Sequence, residues 1–163
     1  MNTGQMILTM GAMIFLSAIV LRVNTVTLIN TDTQYNSKFD ILATSIGNTM
    51  IEEISKKAFD ENSLSSTLTK TNELTNKNQL GPDSETYSQF DDIDDYDGYS
   101  YSDSTLPSAI FDVVCSVDYV KDTEPDKIDN QRQWTKKITV KVSSKSMEDV
   151  VTVSTLYSYW VFR

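Results

Sequence analysis

The first part of the chain has no charged side chain between residues 1 and 21, and its stretch from Met6 to Leu21 is apolar on every side of a helix. A helix that is apolar all round must be surrounded by lipid or by other chains. About 20 residues are needed to cross a bilayer. Residues 23–29 continue the run past Arg22 without a further charge, and Arg22 can reach toward one face of a membrane. We therefore predict a helix over residues 1–29 that spans a membrane or lies inside an assembly.

Two other interpretations of this run are open. A buried hairpin helix of a soluble protein can be equally apolar, and a secretory signal peptide is also apolar and N-terminal. A signal peptide has basic residues before its apolar run and a small-residue cleavage site after it. Residues 1–5 contain no basic side chain, and Leu21-Arg22-Val23-Asn24 is not an Ala-x-Ala site. The pattern therefore favours a helix that is retained.

Beyond Arg22 the apolar residues recur at steps of three and four, which is typical of a helix with one covered face. The stripe consists of Tyr35, Phe39, Leu42, Ile46, Met50, Ile54 and Ala58, with Ala43 and Ile51 beside it. No proline interrupts residues 1–81, so the simplest prediction is one helix of about 55 residues, apolar over 1–29 and amphipathic over 30–59. Its first half is expected to protrude, because so small a domain cannot bury it. Residues 23–27 are weak helix formers and strain the single-helix prediction. Local unwinding there would be tolerable only inside a packed assembly.

The rest of the chain changes character twice. Residues 60–107 are polar with little periodicity, which predicts a connecting loop. From residue 108 to residue 163 apolar and polar side chains alternate, which predicts an antiparallel sheet with one covered face. We expect strands over 111–119, 134–143 and 151–159, the last continuing to Arg163, with Cys115 on the buried face. The predicted fold class is α+β, with the amphipathic half of the helix packed on this sheet.

Composition excludes several functions. The chain has 14 basic and 23 acidic residues, a net charge of −9, no histidine and one cysteine. An acidic chain is a poor candidate for binding a phosphate backbone, so no nucleic acid partner is expected. Without histidine there is no imidazole base or metal ligand, and a single cysteine excludes an internal disulfide. No phosphate-binding glycine loop is present either. We therefore expect a protein that is not an enzyme.

The most unusual motif is an acidic run in the predicted loop. Its five aspartates are Asp91, Asp92, Asp94, Asp95 and Asp97. Carboxylates are suitable ligands for Ca²⁺, which takes six to eight oxygens, so these residues are a candidate structural calcium site, although the helix–loop–helix calcium pattern is not met. The alternative is a solvated loop whose aspartates bond the local backbone. In that case the repulsion between the aspartates has to be balanced by basic side chains, for which Lys136, Lys137 and Lys141 are available. By its position in the alternation, Lys136 falls on the core-facing side of its strand, and we expect it at the sheet edge.

The order of helix, loop and sheet resembles the type IV pilins and pseudopilins. The likeness is most specific at Phe90-Asp91-Asp92-Ile93-Asp94-Asp95-Tyr96, which is similar to the Phe-Asp-Asp-Val-Asp-Asp-Tyr segment of minor pilins of the mannose-sensitive haemagglutinin type. As in those proteins, Lys136–Val142 and a last strand at Val150–Thr155 follow. Prepilins are cleaved after a glycine that ends a basic leader. Gly4-Gln5 is the counterpart of that cleavage point, no basic residue precedes it, and Thr9 stands where the family has a glutamate.

The resemblance implies a structural subunit of an extracellular filament. Such a subunit waits in the cytoplasmic membrane, is handled by a pilus assembly machinery and forms a homopolymer on the cell surface through its apolar helix. The residues expected in the filament core are Met6, Leu8, Met10, Met13, Phe15, Leu16, Ile19 and Val20. The alternative is a single-pass membrane-anchored binding module with a periplasmic or extracellular domain, whose helix would remain in lipid. The acidic motif has a structural role under either reading.

Overall fold

A computed structural model describes residues 2–162 of the chain. It contains two α-helices, α1 (Thr3–Ile54) and α2 (Glu61–Ser65), and five strands, β1 (Ser100–Asp103), β2 (Phe111–Lys121), β3 (Glu124–Ile128), β4 (Thr135–Ser143) and β5 (Val151–Ser158). Short 3-10 turns lie at Thr71–Glu73, Lys77–Gln79, Asp94–Tyr96 and Tyr159–Phe162. The chain divides into two units, Met1–Phe39 and Asp40–Arg163. The predicted α+β class is confirmed, and the part of α1 beyond residue 39 packs against the antiparallel sheet.

The helix α1 is continuous through residues 23–27 in the single chain, as the prediction of one helix requires. The Thr25 hydroxyl donates to the Leu21 carbonyl at 3.0 Å, and the Thr27 hydroxyl donates to the Val23 carbonyl at 2.9 Å. These bonds satisfy both threonine hydroxyl groups within the helix itself, so neither needs a partner elsewhere. The helix ends at Ile54 rather than near residue 59. Met1 lies outside the described residues.

The sheet has the strand order β1-β2-β4-β5, and β3 pairs with the far end of β2. All of these pairs are antiparallel. The predicted alternation is confirmed, because one face of β2 and β4 is buried. Its buried residues are Phe111, Val113, Cys115, Val117, Tyr119, Ile138, Val140 and Val142.

Three details of the sheet differ from prediction. The last strand ends at Ser158 and gives way to a 3-10 turn, so it does not continue toward Arg163, which itself lies outside the described residues. The strand β1 lies inside the predicted loop, and β3 was not predicted. Both are short and rich in polar residues, so neither shows the alternation by which a half-covered strand is recognised.

The part of α1 beyond residue 40 covers the sheet through a narrow stripe. Its buried residues are Ala43, Gly47, Met50 and Ile54. The predicted stripe is therefore correct at Met50 and Ile54, whereas Gly47 was not included. A Cβ atom on Gly47 would lie 2.9 Å from Val153 Cγ2, so only glycine allows the helix to approach β5 this closely. Tyr35, in contrast, is 57% exposed.

Candidate functional site

The apolar segment of α1 is uncovered within the described residues. The eight side chains predicted for a filament core range from 43% exposed at Ile19 to 74% at Leu8. The polar residues of the segment do not interrupt its apolar character, because Thr9 donates to the Met6 carbonyl at 2.9 Å and Ser17 to the Met13 carbonyl at 2.8 Å. By length and composition the helix is able to cross a membrane, and its most apolar window is not buried. A large apolar surface of this kind marks an interaction with lipid or protein.

The predicted processing point lies in the first turn of this helix. Gly4 and Gln5 are both exposed, and a Cβ atom on Gly4 would meet no other group within 4 Å. The Gln5 amide donates to the Asn2 carbonyl at 2.9 Å. Cleavage between these two residues stays a prediction.

The acidic motif is folded against the domain. The alternative of a solvated loop whose aspartates bond the local backbone is correct in its backbone bonds and wrong in its solvation. Asp92, Asp94 and Asp95 are buried, whereas Asp91 is exposed. Asp95 Oδ2 accepts hydrogen bonds from the amides of Asp91 and Asp92, at 3.0 and 3.3 Å, and the Asp95 amide donates to Asp92 Oδ1 at 3.1 Å. These reciprocal bonds close the motif into a tight turn.

The motif is also attached to the chain that leaves α1. The Ala58 amide donates to the Asp91 carbonyl and the Ile93 amide donates to the Ala58 carbonyl, both at 3.0 Å. On the other side, the rings of Phe90 and Tyr96 lie 5.1 Å apart in an edge contact, and the Tyr96 hydroxyl donates to Glu53 Oε1 at 3.0 Å. The motif therefore fastens the end of α1 to the domain.

A buried lysine lies at the centre of this region. Lys136 is fully buried on β4, with Tyr119 of β2 and Tyr157 of β5 as its neighbours across the sheet. Its core-facing parity was predicted, but its placement at the sheet edge was wrong, because β4 is an inner strand. The Nζ atom donates to the Phe59 carbonyl at 2.7 Å, to Asp60 Oδ2 at 3.0 Å and to Asp94 Oδ1 at 2.6 Å.

Aromatic rings enclose the same nitrogen. Lys136 Nζ lies 4.3 Å from the centre of the Phe59 ring and 5.2 Å from that of Tyr119. The other two predicted lysines behave differently. Lys137 pairs with Asp126 at 3.1 Å on the surface, and Lys141 is exposed. Of the three predicted lysines, Lys136 is therefore the one that bonds to an aspartate of the acidic motif.

Asp60 is a carboxylate that was not among the predicted site residues. It caps α2 by accepting from the Asn62 amide, and it also accepts from the Thr75 amide and hydroxyl and from the Tyr119 hydroxyl. Burial alone would raise the pKa of Asp60, but the charge of Lys136 and the Thr75 donors hold it below its usual value. Asp60 is therefore the ionised partner of Lys136.

The two motif aspartates beside this pair have the opposite tendency. Burial, which outweighs the attraction of Lys136, raises the pKa of Asp94 well above its ordinary value, and burial raises the pKa of Asp92 to about 7. The second oxygen of each, Oδ2, is buried without a hydrogen-bond partner. One lysine charge cannot balance three buried carboxylates, so protonation of Asp94 relieves the excess negative charge.

The five candidate calcium ligands do not share one environment. Asp94 contacts Lys136, and Asp97 Oδ1 accepts from the Val117 amide at 2.9 Å. Asp91 and Asp95 come together with Glu85, and one oxygen of each lies within 4.8 Å of the others. Glu85 was not among the predicted ligands. The calcium alternative is untested, and these three carboxylates are the nearest grouping for it.

Comparison with known proteins adds no relative: no protein-family model, curated protein or solved structure matches this chain.

Proposed function

We propose that the protein is a structural subunit of a type IV pilus-like filament. The observation that carries the proposal is the uncovered apolar segment of α1, from Met6 to Leu21, in a chain that also has a folded, acidic α+β domain. In this proposal the segment resides in the cytoplasmic membrane before assembly. The assembly machinery then transfers it into a filament on the cell surface, where it packs against the same segment of other copies.

Energetics require that this segment be buried, in lipid before assembly and against other copies in the proposed filament. Burial of apolar surface contributes about 25 cal/mol per Å², so the side chains of a 20-residue apolar helix supply a far larger driving force than exposed polar contacts between domains. The segment has no charged side chain that would have to be desolvated, and its threonine and serine hydroxyls are bonded to the helix itself. Lipid and neighbouring helices can therefore replace one another around it at little cost in polar bonding.

The acidic motif has a structural role in the same proposal. Its turn holds the C-terminal end of α1 through Ala58 and Glu53, and Asp94 contacts Lys136 in the sheet. A filament subunit needs its domain fixed to the C-terminal end of the helix whose N-terminal part enters the filament core. In this proposal the protein has no enzymatic activity. The buried carboxyl groups around Lys136 (Asp60, Asp92 and Asp94) stabilise the subunit.

Electron microscopy of material sheared from the surface of cells that express the chain tests the proposal. We expect filaments that contain this subunit by mass spectrometry. The matched control is the chain without residues 1–28, which should yield no filaments and behave as a soluble monomer in light scattering. A chain found only in the membrane fraction, with nothing on the cell surface, would favour the single-pass anchored module. Oligomers formed by the truncated chain would contradict a helical core.

A further inference from the structure

Lys136 and Asp94 have the arrangement of an amine and a carboxyl group held for condensation. Lys136 Nζ lies 2.6 Å from Asp94 Oδ1, both side chains are at least 96% buried, and the site is closed by the rings of Phe59 and Tyr119. We propose that these two side chains form an intramolecular amide bond, which links the acidic motif covalently to β4. The inference concerns the folded domain and is independent of filament formation.

Asp94 rather than Asp60 is the carboxyl group that reacts. Asp60 accepts hydrogen bonds from Thr75, Tyr119 and Lys136, so both of its oxygens are engaged. Asp94 Oδ2 has no partner and is buried, so this oxygen is free to leave. Burial also raises the pKa of Asp94, which favours the carboxylic acid. A neutral acid loses its hydroxyl group far more readily than a carboxylate loses an oxide ion.

Asp60 is placed to move the proton. Its Oδ2 atom lies 3.0 Å from Lys136 Nζ, within the reach of a general base. The reaction starts from the Lys136 ammonium, the Asp60 carboxylate and the Asp94 acid. Asp60 accepts a proton from the ammonium, and the freed amine attacks Asp94 Cγ. The Cγ–O bond to the hydroxyl group then breaks, and the hydroxyl leaves as water with the second proton of the amine.

The products balance without an oxidant or another reactant. They are one amide, one water molecule and the protonated Asp60 side chain, so the net charge of the site stays zero. The new N–H group has an acceptor at hand in the Phe59 carbonyl, which lies 2.7 Å from Nζ. The reaction removes a buried ion pair, whose desolvation is costly. Contact in a closed site supplies the effective concentration that two separate groups in water lack.

Tryptic digestion of the full chain in detergent tests the bond. Trypsin does not cleave after a lysine whose nitrogen is in an amide, so the bonded chain should give residues 78–121 joined to residues 133–137. The joined species should weigh one water molecule less than the sum of the two peptides. The sample is first shown to be folded by cooperative thermal unfolding. Separate peptides 78–121 and 133–136 from that folded chain would overturn the proposal.

Four variants identify the participants. Asp94→Ala should give only separate peptides, whereas Asp94→Asn should give a joined species of the same mass as the wild type, because ammonia leaves instead of water. Lys137→Arg changes the adjacent half-buried lysine, which pairs with Asp126, and should keep the bond. Asp60→Asn should reduce the joined fraction at a fixed time after expression, since loss of a general base slows such a step about 100-fold or more. A joined species in Asp94→Ala would overturn the assignment to Asp94.

Discussion

Gly47 of α1 faces Val153 of β5 so closely that a Cβ atom on the glycine would lie 2.9 Å from Val153 Cγ2 and 3.6 Å from Val142 Cγ2. Neither valine methyl can swing away, because a β-branched side chain is stiff at χ1. The contact sets the distance between helix and sheet. It also holds this part of α1 against β5, which is an edge strand of the sheet.

We expect Gly47→Ala to lower the melting temperature of the full chain in detergent. Alanine improves helix propensity by about 1 kcal/mol, but overpacking in a tight core costs about 1–3 kcal/mol. Adding Val153→Ala to this variant should restore part of the loss by making room. Gly11→Ala is the matched control, because nothing lies within 4 Å of its Cβ position. Equal melting temperatures for Gly47→Ala and Gly11→Ala would refute the close approach.

Lys136→Met should destabilise the domain by at least about 3–5 kcal/mol, because it leaves the Asp60 carboxylate buried without its cation. It also removes the nitrogen of the proposed amide bond, so the covalent link between the acidic motif and β4 is lost. Urea denaturation of the chain without residues 1–28 measures this. Lys137→Met is the control, since its partner Asp126 is 95% exposed and surface pairs contribute about 0–1 kcal/mol. If the two variants lose similar stability, the buried pair does not support the fold.

Asp92 should make stability fall as pH rises between about 4 and 7. Burial raises its pKa from 3.8 in the unfolded reference to about 7, so the folded chain binds the proton more tightly. Its stabilising contribution is complete below pH 3.8 and is lost as the pH increases toward 7, with roughly 4 kcal/mol as the upper bound. When the free energy of unfolding is measured by urea denaturation across this pH range, it should fall less steeply with pH in Asp92→Asn than in the wild type.

The control for Asp92 is Asp103→Asn. Thr105 donors lower the pKa of Asp103, so its contribution is lost below pH 3.8, outside the tested window. This variant should therefore keep the wild-type slope between pH 5 and 7. A stability that rises with pH over that interval in the wild type would show that Asp92 is ionised in the folded chain.

Calcium should leave the melting temperature of the full chain unchanged at fixed ionic strength. The backbone bonds of Asp95 and the contact between Asp94 and Lys136 already hold the acidic motif. Melting curves with millimolar calcium or with chelator measure the effect. An increase with calcium that is lost in Asp91→Asn would instead establish a site at Asp91, Asp95 and Glu85, because an ion that binds only the folded chain stabilises it by mass action.

The sequence predicted the elements whose pattern repeats. The apolar run, the helical stripe through Met50 and Ile54 and the alternation of β2, β4 and β5 all repeat over several turns or residue pairs, so periodicity predicted their type and their buried faces. It did not predict β1 and β3, in which four or five residues contain too few apolar positions to form a pattern. The close contact at Gly47 was not predicted, because the need for a glycine there comes from the packing of Val153 and not from any pattern within the helix.

The buried cluster was only half predictable. The parity of Lys136 and the density of aspartates were visible in the sequence, and they indicated a pairing of loop and strand. The decisive partner, Asp60, is 76 residues from Lys136 and belongs to no motif, although its position before a short helix is typical of a capping residue. Which aspartates become buried depends on the tertiary contact of the turn with Ala58, and no local pattern contains that information.

In the proposed filament, the apolar segment of α1 contacts other copies of itself. A photo-reactive phenylalanine analogue at Phe15, which is 70% exposed, tests this directly when intact cells are illuminated and sheared. We predict a ladder of covalent multimers of the subunit in the sheared fraction, absent without illumination. Cross-links to lipid alone, with the chain monomeric in the membrane fraction, would contradict the claim.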